Sequence, residues 1–254
     1  MLYVSIIALA ALPTYFGYMG KAFRSTFDVR VEVGRLAGTP SAITTTTANP
    51  IIAALWNALK PFNANQKSND NQLRIQDLKK NIYTITSSTQ PNGLPASPTQ
   101  QEAIRNLVDQ IELLNPTANP AYSPLMNGYW RMLYTDFTPA AASSGKLGPF
   151  VGDVYQDLDS TRATIRNILK IRFPPIDGAL IASQRIKDAY TWEIEFDRIE
   201  NAIFGIPLPT KTFKTQEIRL WQIAFLDDEL RILRARRPET DSTESFIFVL
   251  VRET

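Results

Sequence analysis

The apolar residues of this chain follow one period up to about residue 115 and another from about residue 125 onward. Ile51, Ile52, Leu55, Trp56 and Leu59 recur at helical spacing behind Asn49-Pro50, which reads as an N-cap with proline in the first turn. Pro61 predicts the end of that helix, and the Asn, Ser and Lys residues of 63–72 predict a loop. Ile75, Leu78, Ile82 and Ile85 predict a second helix over 73–86, followed by a Pro, Gly, Ser and Thr loop to Pro98. Ser97-Pro98-Thr99-Gln100 has the form of a capping box. Behind it Ala103, Ile104, Leu107, Val108, Ile111 and Leu114 make one stripe, which Asn115-Pro116 ends.

From Tyr129 the period is two. Strands are predicted over 129–137, 151–156, 164–173, 179–187, 190–197, 215–224, 230–235 and 246–252. In the third, Ile165, Leu169, Ile171 and Phe173 share a face. In the fifth, Tyr190, Trp192, Ile194 and Phe196 oppose Thr191, Glu193, Glu195 and Asp197. About eight short strands in succession suggest an antiparallel barrel or sandwich. An aromatic, apolar inner face suits a lipophilic molecule, and equally suits an interior filled by its own side chains.

The first 72 residues differ in kind. Leu2 to Met19 is an 18-residue stretch without charge, interrupted by Pro13. It is long enough for a short membrane span. Lys21, Arg24, Arg30 and Arg35 follow it, against Asp28 and Glu32, which places the rest of the chain on the cytoplasm-equivalent side of a membrane. A targeting segment and a helix buried against a partner remain open readings of the same residues. Residues 36–50 read as a linker, with Gly38, Pro40 and the Thr44 to Thr47 run. The helix over 50–60 carries no charge before Lys60, so its stripe of Ile52, Leu55, Trp56 and Leu59 is expected to dock on a membrane surface, on a partner or on its own domain.

Composition narrows the chemistry. The 254 residues contain neither cysteine nor histidine. That excludes disulfides, thiolate chemistry, His-assisted nucleophiles and His-ligated zinc. A net charge of +2 gives no broad basic field, and the scattered glycines form no phosphate loop, so neither nucleic acid nor nucleotide is expected. Asp227, Asp228 and Glu229 lie together between two strands and read as a solvated hairpin rather than a metal site. Arg231, Arg234, Arg236 and Arg237 form a basic cluster beside it. It is expected to meet lipid headgroups or an acidic partner, if it is not simply a solvated face. Trp130, Trp192, Phe196 and Trp221 are the candidate interior contacts of a ligand, or core residues.

Four stretches together resemble the plastid lipid-associated proteins, or fibrillins. They are Leu113-Leu114-Asn115-Pro116-Thr117, the run from Leu125 to Thr135 (LMNGYWRMLYT), Val151-Gly152-Asp153-Val154-Tyr155-Gln156, and Phe225 to Arg234 (FLDDELRILR) leading to Phe246 to Val251 (FIFVLV). The resemblance covers about residues 73–254. It implies a mainly β fold with N-terminal helices: an antiparallel, lipocalin-like β-barrel of about eight strands, preceded by amphipathic helices and a hydrophobic N-terminal helix. It also implies association with plastoglobules and thylakoids, and binding of lipids, carotenoids or quinones without catalysis.

The expected organisation is a hydrophobic anchoring or docking segment over 1–25, an extended linker with a short helix over 26–72, and a fibrillin-like domain over 73–254. In that domain the helices occupy 73–115 and the barrel 125–254. The expected role is a non-catalytic structural linker of the thylakoid with the barrel on the stromal side. It would contact membrane lipids and subunits of a photosystem or light-harvesting complex. A mobile carrier of a lipid, carotenoid or quinone is the alternative. No cofactor is required. A bound lipid, carotenoid or chlorophyll is compatible, the last held by Asn, Gln, Glu, a backbone carbonyl or water.

Overall fold

Eight antiparallel strands close into an up-and-down barrel in the computed structural model, which describes residues 50–137 and 142–253. They are β1 (Gly128–Thr135), β2 (Asp153–Asp159), β3 (Thr164–Ile171), β4 (Ile176–Ile186), β5 (Thr191–Ile203), β6 (Lys211–Leu226), β7 (Leu230–Arg236) and β8 (Phe246–Arg252). Each pairs with the next in sequence, and β8 returns to β1. Closure leaves no long unpaired edge. Short two-stranded pairings at Lys146–Leu147 with Phe150–Val151, and of Ile206–Pro207 with β5, decorate one end. The segments 1–25 and 26–49 lie outside the described residues.

Two helices precede the barrel: α1 (Pro50–Ser88) and α2 (Pro98–Glu112). The predicted break at Pro61 and loop over 63–72 are absent, because α1 runs through both. Proline removes one backbone donor, but no second proline and no glycine follows before Ser88. Gln66, Lys67 and Gln72 are good helix formers, so the helix resumes. The chain divides into two compact units, residues 1–65 and 66–254, so the second unit holds only the later part of α1. The capping box of α2 forms as read: the Ser97 hydroxyl accepts from Gln100 N, and Ser97 N donates to Gln100 Oε1. No described helix is long and apolar enough to cross a membrane.

Burial separates into two cores on either side of the barrel wall. Outside, Leu78 and Ile82 of α1 and Ile104, Val108 and Ile111 of α2 pack on Leu133, Phe225, Leu230, Ile232 and Val249. Inside, Trp130, Met132, Val154, Ile165, Leu169, Trp192, Ile194, Trp221, Leu233 and Leu250 form the other. The apolar stripes of the helices thus cover the outward face of β1 and β6–β8, which would otherwise be exposed. Two details differ from the alternation read above. Tyr190 precedes β5 and is exposed, and Phe173 lies beyond β3 in the turn to β4 and is 87% exposed. Glu193 and Glu195 are half-buried on the outer face of β5, where Glu193 pairs with Arg185.

Candidate functional site: the barrel interior and its two ends

One end of the barrel is shut by backbone and tryptophan. Two short 3-10 turns, Pro120–Tyr122 and Pro124–Met126, lead into β1 beside that end. The Trp192 indole donates to Ala121 O at 2.7 Å, and the Trp130 indole donates to Met126 O at 3.1 Å. Both rings are fully buried, so these donors need their acceptors. Arg252 locks the same turn. Its Nη1 donates to Asn127 O at 2.8 Å, its Nη2 to Leu125 O at 2.7 Å, and its Nε to Asp228 O at 2.6 Å. Its guanidinium lies 4.2 Å from the Trp130 ring centroid. Gly128 is required between them: its φ is +126°, and a Cβ there would come within 2.4 Å of Arg252 Nη1. These contacts explain the run from Leu125 to Trp130.

The structure brings Trp130, Trp192 and Trp221 together in the inner core, with Phe196 half-buried against it nearer the opposite end. The inner wall is not wholly apolar. Strand pairing puts Asn167 opposite Leu180, and Gln184 opposite Ile194, on inward positions. The buried oxygens Asn167 Oδ1 and Gln184 Oε1 have no protein donor. Arg219 and Glu217 form an ion pair near Phe196, with the Arg219 guanidinium 5.8 Å from that ring.

The four arginines grouped by sequence do not form a cluster. Arg231 and Arg234 are three apart on one strand and therefore face opposite sides. Arg231 points into the barrel and is wholly buried, which corrects its expected role as a headgroup or partner contact. Its Nη2 donates to Gln156 Oε1, and its guanidinium lies 4.7 Å from the Trp130 ring centroid. Arg234 points out and is taken up by α2, at 2.5 Å from Asp109 and 2.9 Å from Glu112. Burial works against its charge, but these two carboxylates outweigh it and hold its pKa up. Arg236 donates to Thr240 O at 2.9 Å and shapes the loop before β8, and Arg237 lies 3.9 Å from Glu239.

The acidic trio is a hairpin, as its spacing indicated. Asp227 Oδ1 accepts from Glu229 N and Leu230 N, and Asp227 and Glu229 both pair with Lys79 of α1. No cluster of metal-ligating side chains occurs among the described residues. Of the docking residues read on the first helix, Ile52, Leu55, Trp56 and Leu59 fall within α1, and their side chains lie outside the described ones.

At the far end, exposed apolar side chains gather. Phe204 N donates to Pro175 O at 2.9 Å, and Ile176 is opposite Ile203. This sets the β3–β4 turn beside the turn after β5. Phe173 (87% exposed), Phe204 (66%) and Ile206 (67%) project from these two turns. Phe150 and Val151, also exposed, precede Gly152, where a Cβ would come within 2.3 Å of Lys170 O. Arg172 and Lys211 are exposed at the same end. Sequence reading missed this group because it counted Phe173 as a strand residue. The signal was Phe173-Pro174-Pro175 and Phe204-Gly205-Ile206, large apolar residues beside turn formers.

Comparison with known proteins agrees with this architecture. No solved structure matches the chain. The probable plastid-lipid-associated protein 5, chloroplastic, of Arabidopsis thaliana is 27% identical over 146 residues, covering 57% of this chain. The chain spans 59% of the length of that relative. The PAP_fibrillin family model matches residues 76–241, which takes in both helical stripes and all but the last strand of the barrel; the chain belongs to the PAP_fibrillin family.

Proposed function

We propose that this chain is a non-catalytic, lipid-associated protein of the plastid that lies on the thylakoid surface with the far end of its barrel against the lipid. One observation carries the reading: Phe173, Phe204 and Ile206 stand exposed together at one end, with Arg172 and Lys211 beside them. Large exposed apolar groups flanked by cations suit insertion into an interface whose surface is anionic. The chloroplast relative supports the compartment. The non-catalytic reading is supported by the absence of histidine and cysteine. It is supported also by Asp136, whose buried carboxylate already answers Arg105 and Ile247 N. The test is co-sedimentation of the full chain with vesicles of galactolipid and phosphatidylglycerol. A Phe173→Asp, Phe204→Asp double variant should lose at least about tenfold in partitioning while its melting temperature holds. Unchanged partitioning by the folded variant would sink the reading.

A second reading, the structural linker, is favoured by α1, which begins at Pro50, before the compact unit that starts at residue 66. In it the stripe of Ile52, Leu55, Trp56 and Leu59 docks on a subunit of a photosystem or antenna complex. Trp56→Asp would place a charge in an apolar contact. The expected product is a folded protein that no longer co-purifies with thylakoid complexes. Normal assembly by that variant would leave the carrier role as the better account.

A further inference from the structure

The chain has no cysteine, so no disulfide can staple its strands. Of its described oxidisable side chains, Trp130, Trp192, Trp221, Met126 and Met132 are buried. Those that solvent reaches are tyrosines. Tyr129 of β1 and Tyr155 of β2 are two of them, both half-buried. Strand pairing sets Tyr129 opposite Asp157 and Tyr155 opposite Arg131, which makes the two tyrosines diagonal neighbours. They alternate with Trp130 and Val154 of the inner core, so both point out of the barrel.

Their rings stack, with centroids 5.1 Å apart and planes 12° from parallel. The other described ring pairs do not stack: Phe137 meets Phe246 edge-on, and Phe196 is tilted to Phe213. Lys170 of β3 lies over both tyrosines, 5.3 Å from the Tyr155 centroid and 5.9 Å from that of Tyr129. Phenylalanine would stack as well on this face, and neither phenol hydrogen-bonds another described residue. What the hydroxyls add is the capacity to lose one electron and one proton each. Burial, and then Asp153, push the Tyr155 pKa up, so its phenol is neutral at ordinary pH and sheds its proton together with the electron.

We propose that Tyr129 and Tyr155 form an oxidative crosslinking site, at which a peroxide-driven one-electron oxidant joins the two rings as dityrosine and staples β1 to β2. Each phenol gives one electron to the oxidant and one proton to solvent, leaving two phenoxyl radicals. These pair to form a carbon–carbon bond between the ring positions ortho to the hydroxyls. The hydrogen on each bonded carbon then passes to the oxygen of the same ring, which restores both aromatic systems. One hydrogen peroxide takes up the two electrons and two protons and becomes two waters. Holding the rings in contact supplies the encounter that separate radicals must find by diffusion. The site is independent of the membrane contact proposed for Phe173 and Phe204.

The test treats the full chain with hydrogen peroxide and a haem peroxidase at several protein concentrations. Dityrosine is read by its fluorescence and located by mass spectrometry of the digested monomer. The expected product is a peptide pair joined at Tyr129 and Tyr155, two hydrogens lighter than its parts, with a yield per chain that does not depend on protein concentration. Tyr155→Phe keeps the stack and should cut the dityrosine of the monomer at least about tenfold, because only the held pair has a high effective concentration. Tyr122→Phe, at the exposed turn of the closed end, should leave the yield unchanged. The treated parent should also melt higher than treated Tyr155→Phe, since a crosslink removes conformations from the unfolded chain. No dityrosine in the monomer, a product mapped to the more exposed Tyr122 and Tyr190, coupling only between chains, or an undiminished yield in folded Tyr155→Phe would each overturn the proposal. Should Tyr155→Phe not fold, the mapped linkage in the parent decides. A linked chain that melts no higher than treated Tyr155→Phe would remove the staple.

Discussion

Asn115 clasps Leu226 across the outside of the barrel. Its Oδ1 accepts from Leu226 N at 3.2 Å, while its Nδ2 donates to Ala224 O, also at 3.2 Å. Both groups belong to β6 where its pairing with β7 shifts register between Ile232 and Leu233. The irregularity frees backbone groups that a regular ladder would use. Thr117 adds a bond to Leu226 O at 2.6 Å. The sequence Asn115-Pro116-Thr117 is therefore the tie between the end of α2 and the wall.

Replacing Asn115 with Ala leaves a buried donor and acceptor of β6 without partners, at about 1–3 kcal/mol. Denaturant unfolding of Asn115→Ala should show a lower midpoint with an unchanged slope. A loss within error would mean that water replaces the amide there.

Trp192→Phe keeps most of the ring volume and removes the indole donor to Ala121 O. The expected cost is about 2 kcal/mol, from the orphaned carbonyl and the smaller ring. Hydrogen exchange should rise at Ala121, whose N–H donates to Ala189 O at the same closed end. Unaltered exchange there would show that the turn does not depend on Trp192.

Arg234→Ala removes the pairs with Asp109 and Glu112 that hold α2 to β7. Asp109 is largely exposed, so solvent weakens its share, and the loss should be about 1 kcal/mol. Vesicle partitioning should not change, since Arg234 faces α2 rather than a membrane. Reduced partitioning by a folded Arg234→Ala would restore the headgroup role that its position in the sequence suggested.

Asp136 supplies a pH dependence. Burial raises its carboxyl above the ordinary 3.8, although Ile247 N and Arg105 pull it down. A raised folded pKa means that the folded state holds the proton more tightly. Its contribution is fully present below 3.8 and is lost as pH rises through the folded value. Asp136→Asn does not titrate. The stability of this variant relative to the parent should therefore improve as pH rises from the ordinary 3.8 through the raised folded value. The opposite trend would show that the Arg105 pair outweighs burial.

The sequence by itself determined the class of fold. The change of period near residue 125, the capping box at Ser97 and the alternation Trp192, Ile194, Phe196 were enough for helices followed by an antiparallel barrel or sandwich, and the resemblance of four stretches to the fibrillins chose the barrel. Local chemistry also settled the Asp227 hairpin, because an Asx side chain bonds its own turn whatever surrounds it. Pro61 was read too strongly, since one missing donor does not end a helix whose later residues favour it. What alternation could not decide was β7. Leu230, Arg231, Ile232 and Leu233 are all buried, because the helices cover one face of the strand and the lumen lies on the other. A period of two then distinguishes the faces without saying which is inside. Only the docking of α1 and α2 sent Arg234 out to Glu112 and left Arg231 within the barrel beside Gln156.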